Sequence, residues 1–264
     1  ALLCALAVPP QRLPEVAARV NALPGVNHNY EREHCYNLWF VLTGRDAALL
    51  HQRLDALQRQ TGLVALRLPM QRVYRIGLGF DLLGSGAAGH PPPRPERRAV
   101  AVAPADFALA AQVEGGLPMV DAPYAQWARQ LGCSEAAVLG TLRRWLAQGS
   151  LRRFGVIVRH HEFGFDCNAM TVFDVADAEV DSCGEALARQ PGVSLCYRRA
   201  RAPGWPYNLY CMVHGREREA VRGCIEQAVA AAGLSRCARE VLFSRRRFKQ
   251  QGGSYFRSAA QEAG

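Results

Sequence analysis

Apolar and polar positions fall into short blocks along the chain, and the blocks occur twice in one order. Residues 2–8 form an apolar run of strand length, and residues 14–23 change to helical, amphipathic spacing. Val26–Arg32 and residues 36–43 read as strands. Asp46 reads as the N-cap of a helix to Gln60, Gly62 ends it, and residues 64–76 read as a last strand. The order returns at residues 169–175, 179–189, 193–199, 207–214, 217–231 and 235–247. Individual residues return with it. Leu23-Pro24-Gly25-Val26 matches Gln190-Pro191-Gly192-Val193, and Tyr30 and Arg32 match Tyr197 and Arg199. Tyr36-Asn37-Leu38 matches Tyr207-Asn208-Leu209 after an insertion, Ala202-Pro203-Gly204-Trp205-Pro206. Gly44-Arg45 matches Gly215-Arg216, and Gly62-Leu63 matches Gly233-Leu234. Spacing and order of this kind mark an internal repeat.

Strand, helix, strand, strand, helix, strand is the ferredoxin-like order, so the expected class is α+β with two such modules. Each open sheet leaves one face to cover, and two copies can pack sheet to sheet as an internal pseudo-dimer. Residues 84–103, rich in Gly, Ala, Pro and Arg, read as a linker. A helical segment follows. Phe107, Ala110 and Ala111 share a face of a first helix, residues 123–130 form a second, and Ser134 caps a third at 135–147 closed by Gly149. With residues 151–160 as a wing strand, this is a winged helix-turn-helix. The expected domains are a ferredoxin-like module at 1–82, a linker at 83–103, the winged helix at 104–162, a second module at 163–256 and a tail at 257–264.

Composition narrows the chemistry. In a chain of 264 residues, 49% apolar and 21% charged, no apolar run approaches a membrane span, so an ordinary globular protein is expected, and its scattered, unpaired cysteines suit a reducing cytoplasm. The net charge is +9 and Lys249 is the one lysine, so the excess is almost wholly arginine. Arginine grips carboxylates and phosphates bidentately, which suits nucleic acid or a small polyanion. Nine cysteines, odd in number and without a CxxC pair, argue against a disulfide framework or a zinc site. Each reads as a small buried hydrophobe.

A winged helix before a ferredoxin-like module is the layout of the Lrp/AsnC regulators. Arg143-Arg144 and Arg152-Arg153 could then contact phosphates. The third helix, however, offers Ala136, Ala137, Leu139 and Gly140 on its early turns, poor readers of base edges, so DNA is not the expected partner. Other residues point elsewhere. Arg152-Arg153-Phe154-Gly155-Val156-Ile157-Val158-Arg159-His160-His161-Glu162-Phe163-Gly164-Phe165, followed by Asn168-Ala169-Met170, resembles the signature of siroheme decarboxylases. Trp205-Pro206-Tyr207-Asn208-Leu209-Tyr210 and Met212-Val213-His214-Gly215 resemble that family's second motif. With the fused repeat, the chain is similar to the NirD–NirL type of heme d1 biosynthesis. The resemblance implies a carboxy-lyase that removes the C12 and C18 acetate carboxyls of siroheme to give 12,18-didecarboxysiroheme. It implies no added cofactor, because the iron belongs to the substrate. A homodimer or companion subunits of the same pathway are the implied protein partners. A DNA-binding regulator and a non-catalytic tetrapyrrole sensor are the competing readings.

The first copy starts just after the point where a winged helix and an Arg-His motif would end, so the natural start is expected upstream and at most one complete site is expected here. A polycarboxylate macrocycle asks for arginines, an apolar slot and an imidazole. The candidates for carboxylate binding are Arg152, Arg153, Arg159, Arg198 and Arg199, with Trp205 and Asn208 beside them. His160, His161 and Tyr207 are the candidate proton donors, and His160 is also the candidate axial ligand to the substrate iron. Strand alternation puts Arg159 and His161 on one face and favours His161. The family motif favours His160, which follows the arginine directly. The run Arg245-Arg246-Arg247 reads as a charged sheet edge.

Overall fold

A computed structural model describes residues 1–77, 100–151 and 167–257. The first repeat runs β1 (Leu2–Leu6), α1 (Leu13–Ala22), β2 (Val26–Arg32), β3 (Leu38–Leu42), α2 (Ala47–Thr61) and β4 (Ala65–Ile76). Three helices follow, α3 (Phe107–Glu114), α4 (Pro123–Leu131) and α5 (Glu135–Gln148). The second repeat runs β5 (Cys167–Phe173), α6 (Val180–Ala188), β6 (Val193–Arg199), β7 (Leu209–Gly215), α7 (Arg218–Ala231) and β8 (Arg239–Gln250). Local chemistry sets the boundaries. Asp46 Oδ1 accepts from the Ala48 and Leu49 N–H groups to start α2, and Gly62 at φ 71° ends it. Ser134 Oγ accepts from Ala137 N–H at the start of α5. Gly25 turns α1 into β2 at φ 89°, where a side chain would also strike the Thr43 carbonyl at 2.2 Å.

The eight strands form a closed barrel in the order β1-β3-β2-β8-β5-β7-β6-β4. The two sheets enclose one interior and are hydrogen-bonded to each other along both edges, where face-to-face packing alone was expected. Strand length produces the closure. β4 and β8 are 12 residues each, against five to seven for the rest. Ala65 to Pro69 pairs with β1 inside the first repeat, and Met70 to Ile76 crosses to β6 of the second. β8 does the reverse, pairing with β5 through Phe243 and with β2 from Ser244 onward. The arginine run 245–247 accordingly lies in a paired strand, with Arg246 opposite Glu31 and Arg247 opposite Tyr30, and not on an open edge.

Three layers of apolar contact follow. Leu2, Cys4 and Leu6 face α1 and α2 on the outside of the barrel. Their neighbours Leu3 and Ala5 face inward, against Met170 and Val172 of the second repeat. Both faces of β1 are thus covered, which is why its five residues are a continuous apolar run. α6 and α7 cover the second repeat in the same way around Val180, Leu187, Val221 and Ile225. α3, α4 and α5 have a separate core built on Trp127, Leu142 and Trp145. They meet the rest through Arg45, whose guanidinium lies 4.1 Å from the Phe107 ring centroid. They also meet it through Glu114, whose carboxylate accepts from the N–H groups of Tyr255, Phe256 and Arg257 at 2.7–3.2 Å. Among the described residues, no helix is long and apolar enough to cross a membrane.

Candidate functional site

The barrel interior is plugged at one end and hollow at the other. Trp205, carried by the insertion that only the second repeat has, sits within 5.9 Å of the rings of Tyr36 and Trp39 from the first repeat. Its indole N–H donates to the Tyr210 hydroxyl at 2.7 Å, and that hydroxyl lies 3.2 Å from the Tyr207 carbonyl. Burial pushes the Tyr210 phenol up to about 12, against the smaller opposing pull of the Trp205 N–H, so it stays protonated. Beyond Tyr210 lies a cavity of about 740 Å³. That is within the roughly 300–1,000 Å³ of small-molecule sites.

Equivalent positions of the two repeats line this cavity. Leu3 and Met170, Tyr30 and Tyr197, Arg32 and Arg199, Trp39 and Tyr210, and Thr43 and His214 all reach it. The registers show the equivalence: Tyr30 is paired with Trp39 as Tyr197 is with Tyr210, and Leu3 with Val41 as Met170 is with Met212. Val102, Val113, Glu114 and Trp145 of the helical segment line it too, with Tyr255 and Phe256 of the tail.

Among the described residues, two imidazoles border the cavity, one per repeat. His214 Nδ1 lies 2.8 Å from Ser194 Oγ, which in turn donates to the Met212 carbonyl at 3.0 Å. With that hydroxyl proton committed to Met212, Nδ1–H donates to Ser194 and Nε2 is the basic nitrogen. His28 Nδ1 lies 3.0 Å from Asn27 Oδ1, which again makes Nε2 the basic nitrogen. Burial pushes the His28 imidazole below its usual range and keeps it neutral. The two arginines are 7% and 5% exposed. Burial pulls the Arg32 guanidinium down to about 10 and Arg199 in the same direction, so both stay charged at neutral pH.

The sequence candidates separate cleanly. Arg152, Arg153, Arg159, His160 and His161 lie outside the described residues. Of the others, Arg199 lines the cavity. Arg198, one residue away on the opposite face of β6, bonds instead to Gln71 and Asp181 outside the barrel. Arg201 is held on the surface by Asp174 and Asp177. Tyr207 and Asn208 do not reach the cavity. Tyr207 packs against Trp205, and Asn208 is 1% exposed with its amide engaged by both backbone groups of Val175. Asn37 makes the same pair of bonds to Val8, so the repeated Tyr-Asn is a shared clamp on the loop that follows the first strand of each repeat. Trp205 is the cavity's plug, one ring removed from its wall. Of the other lining residues, the sequence did not single out Arg32 or Ser194, and His28 reads there as a structural or surface residue that a pseudo-dimer could bring near the second site. The signal for Arg32 was present, because the repeat aligns it with Arg199.

Other chemistry is weaker. Cys4 and Cys211 are pushed up to about 12 by burial, and Cys196 well up, so these thiols are not nucleophiles. No cluster of three or more His, Cys, Asp or Glu able to hold a metal occurs among the described residues. Arg144 of α5 donates to Asp106 at 2.6 Å and shares that carboxylate with the Trp145 indole, which ties it into its own domain.

The fold and the helical insertion define a class. Residues 1–75 and 162–249 match the AsnC-like ligand binding domain, and residues 106–152 match the siroheme decarboxylase NirDL-like HTH domain. The siroheme decarboxylase NirDL subunit of Paracoccus pantotrophus is 42% identical over 261 residues, covering 95% of this chain and 77% of that one. The NirL subunit of Stutzerimonas stutzeri is 49% identical over 144 residues, 54% of this chain and 85% of its own. A crystal structure of the siroheme decarboxylase NirDL in co-complex with an iron-uroporphyrin III analogue superposes with a TM-score of 0.67 at 29% identity, covering 99% of this chain and 77% of that one. This chain belongs to the siroheme decarboxylase family.

Proposed function

We propose that this protein is a siroheme decarboxylase whose substrate occupies the cavity shared by the two repeats, each a ferredoxin-like half of an internal pseudo-dimer. The observation that carries the reading is a cavity with an apolar and aromatic wall and, among the described residues, two buried arginines and two imidazoles. Those are the groups a rigid macrocycle fringed with carboxylates requires. The crystallised relative's iron-uroporphyrin III analogue, a ligand of the same shape class, supports it.

The reaction is the loss of the C12 and C18 acetate carboxyls as carbon dioxide. Each C–CO₂ bond breaks with its electron pair left on the methylene carbon, the conjugated ring takes up the charge, and a proton makes a methyl group. The product is 12,18-didecarboxysiroheme. No cofactor is needed beyond the substrate's own iron. Apolar walls such as Leu3, Trp39 and Met170 disfavour the charged carboxylate relative to water, while arginine holds those that remain. A neutral imidazole is suited to deliver the proton or to ligate the substrate iron near neutral pH. His28 and His214 are the candidates on the described wall, and His160 and His161 remain candidates from the family motif. Arg152, Arg153 and Arg159 remain carboxylate candidates on the same ground. Separate NirL-type subunits among the relatives support a partnership of halves in this family.

Incubation of the purified protein with siroheme under anaerobic conditions, followed by mass spectrometry, tests the reading. Loss of two carbon dioxide units is the expected result. A spectral shift on binding with no mass change would make the protein a tetrapyrrole sensor. A sequence-specific DNA shift at physiological salt would restore the regulator reading.

A further inference from the structure

Arg32 and Arg199 stand out because they are charged, buried and short of partners. Each reaches across a seam between the repeats and donates one N–H to a carbonyl there. Arg32 Nη1 bonds to Leu242 at 3.0 Å and Arg199 Nη1 to Leu68 at 2.9 Å. Leu68 and Leu242 hold the same place in β4 and β8, so the two arrangements are copies. The rest of each guanidinium is poorly satisfied. Among the described residues, Arg32 Nη2 hydrogen-bonds to the Met212 sulfur at 3.8 Å, the Tyr30 ring centroid lies 5.6 Å from the guanidinium carbon, and the buried Nε has no hydrogen-bond partner. Arg199 lies beside the Tyr197 and Tyr210 rings, at 5.5 and 5.9 Å from their centroids. No carboxylate forms an ion pair with either one among the described residues. A guanidinium carries five N–H donors, and a buried cation without a counter-ion is costly to keep.

We propose that Arg32 and Arg199 are a matched pair of carboxylate anchors, one from each repeat, that grip two carboxylates at separate points on the rim of one macrocycle. The proposal rests on the siroheme decarboxylase reading and deepens it by naming what fixes the substrate's orientation. The absent counter-ion is the ligand itself. Donors spread in a plane suit a carboxylate taken side-on, in two parallel bonds. Because the pair straddles the barrel interior, a ligand with a single carboxylate satisfies one arginine and leaves the other uncompensated. Selectivity for a polycarboxylate follows.

Iron-uroporphyrin III, which carries eight carboxylates, is the probe. Its affinity for the full chain is measured by absorbance titration for the wild type, Arg32→Met, Arg199→Met and Arg32→Lys, together with the melting temperature of each unliganded protein. Either methionine variant should weaken binding by about 10- to 100-fold, as expected for charged hydrogen bonds. Lysine at position 32 should restore only part of it, because an ammonium cannot form the fork. The unliganded Arg32→Met protein should melt at the wild-type temperature or above, because an uncompensated charge has been removed. A fall in melting temperature with affinity unchanged, or a variant that no longer folds, would show the arginines to be structural staples and overturn the proposal. Equal affinity in folded variants would overturn it while leaving the function reading intact. Failure of the wild type to bind the probe would overturn both.

Discussion

Replacing Asn208 with alanine asks whether the repeated Tyr-Asn pair serves the substrate or the scaffold. The Asn208 amide donates to the Val175 carbonyl at 2.9 Å and to Asp177 at 3.2 Å, and its oxygen accepts from the Val175 N–H at 3.0 Å. The Val175 carbonyl keeps a second donor, Arg201 Nη2 at 2.7 Å, but its N–H meets no second acceptor among the described residues. Stranding one buried N–H costs about 1–3 kcal/mol, and the bonds lost outright add about 1 kcal/mol, so the total is about 2–4 kcal/mol. For a folded unit of this size each kcal/mol lowers the melting temperature by about 2–4 °C, so a fall of roughly 5–15 °C is expected. Asn37→Ala should act the same way through Val8. Thermal melts by circular dichroism and titration with iron-uroporphyrin III separate the outcomes. The reasoning fails if Asn208→Ala melts within about 1 °C of wild type while its affinity drops.

Three further outcomes are expected. Gly184 of α6 lies under the Tyr74 ring of β4, where a methyl group would meet ring atoms at 2.3–2.7 Å. Gly184→Ala should therefore cost about 1–3 kcal/mol by overpacking, and the penalty should largely vanish in a Tyr74→Ala background, as a double-mutant cycle would show. Glu114→Ala removes the acceptor for three tail N–H groups, so limited proteolysis within residues 251–257 should accelerate while the barrel's melting temperature holds. Burial lowers the His28 pKa from its ordinary 6.5, so the unfolded chain takes up the proton first and stability falls as pH drops below 6.5. His34 is pushed the same way, so His28→Gln should reduce the slope of melting temperature against pH below 6.5 without abolishing it.

The element order was legible because the blocks alternate cleanly and the repeat supplies two readings of each boundary. The barrel was not, because closure depends on which partner each half of β4 and β8 takes. Both halves of such a strand carry ordinary strand patterns, and only the length of 12 residues hints at two partners. In the site, the choice between Arg198 and Arg199 turns on strand alternation together with knowledge of which face is interior. The Tyr-Asn motif reads as chemistry in the sequence because a buried amide that clamps backbone leaves the same mark there as one that binds a ligand. Arg32 reads in the sequence as a marker of duplication, although duplication of a buried charge is itself chemical information.

The two-partner strands have a practical corollary for dissecting the molecule. If the chain were cut between β4 and α3, each fragment would carry a projecting half-strand, Met70 to Ile76 on one and Ser244 to Gln250 on the other, with its hydrogen-bonding groups bare. These overhangs would act like the cohesive ends of cut DNA, each fitting a receiving strand on the opposite fragment. Mixed fragments should rejoin in equal numbers, and an isolated fragment should tend to pair with itself, since its overhang and its receiving edge are built to the same plan as its missing mate's.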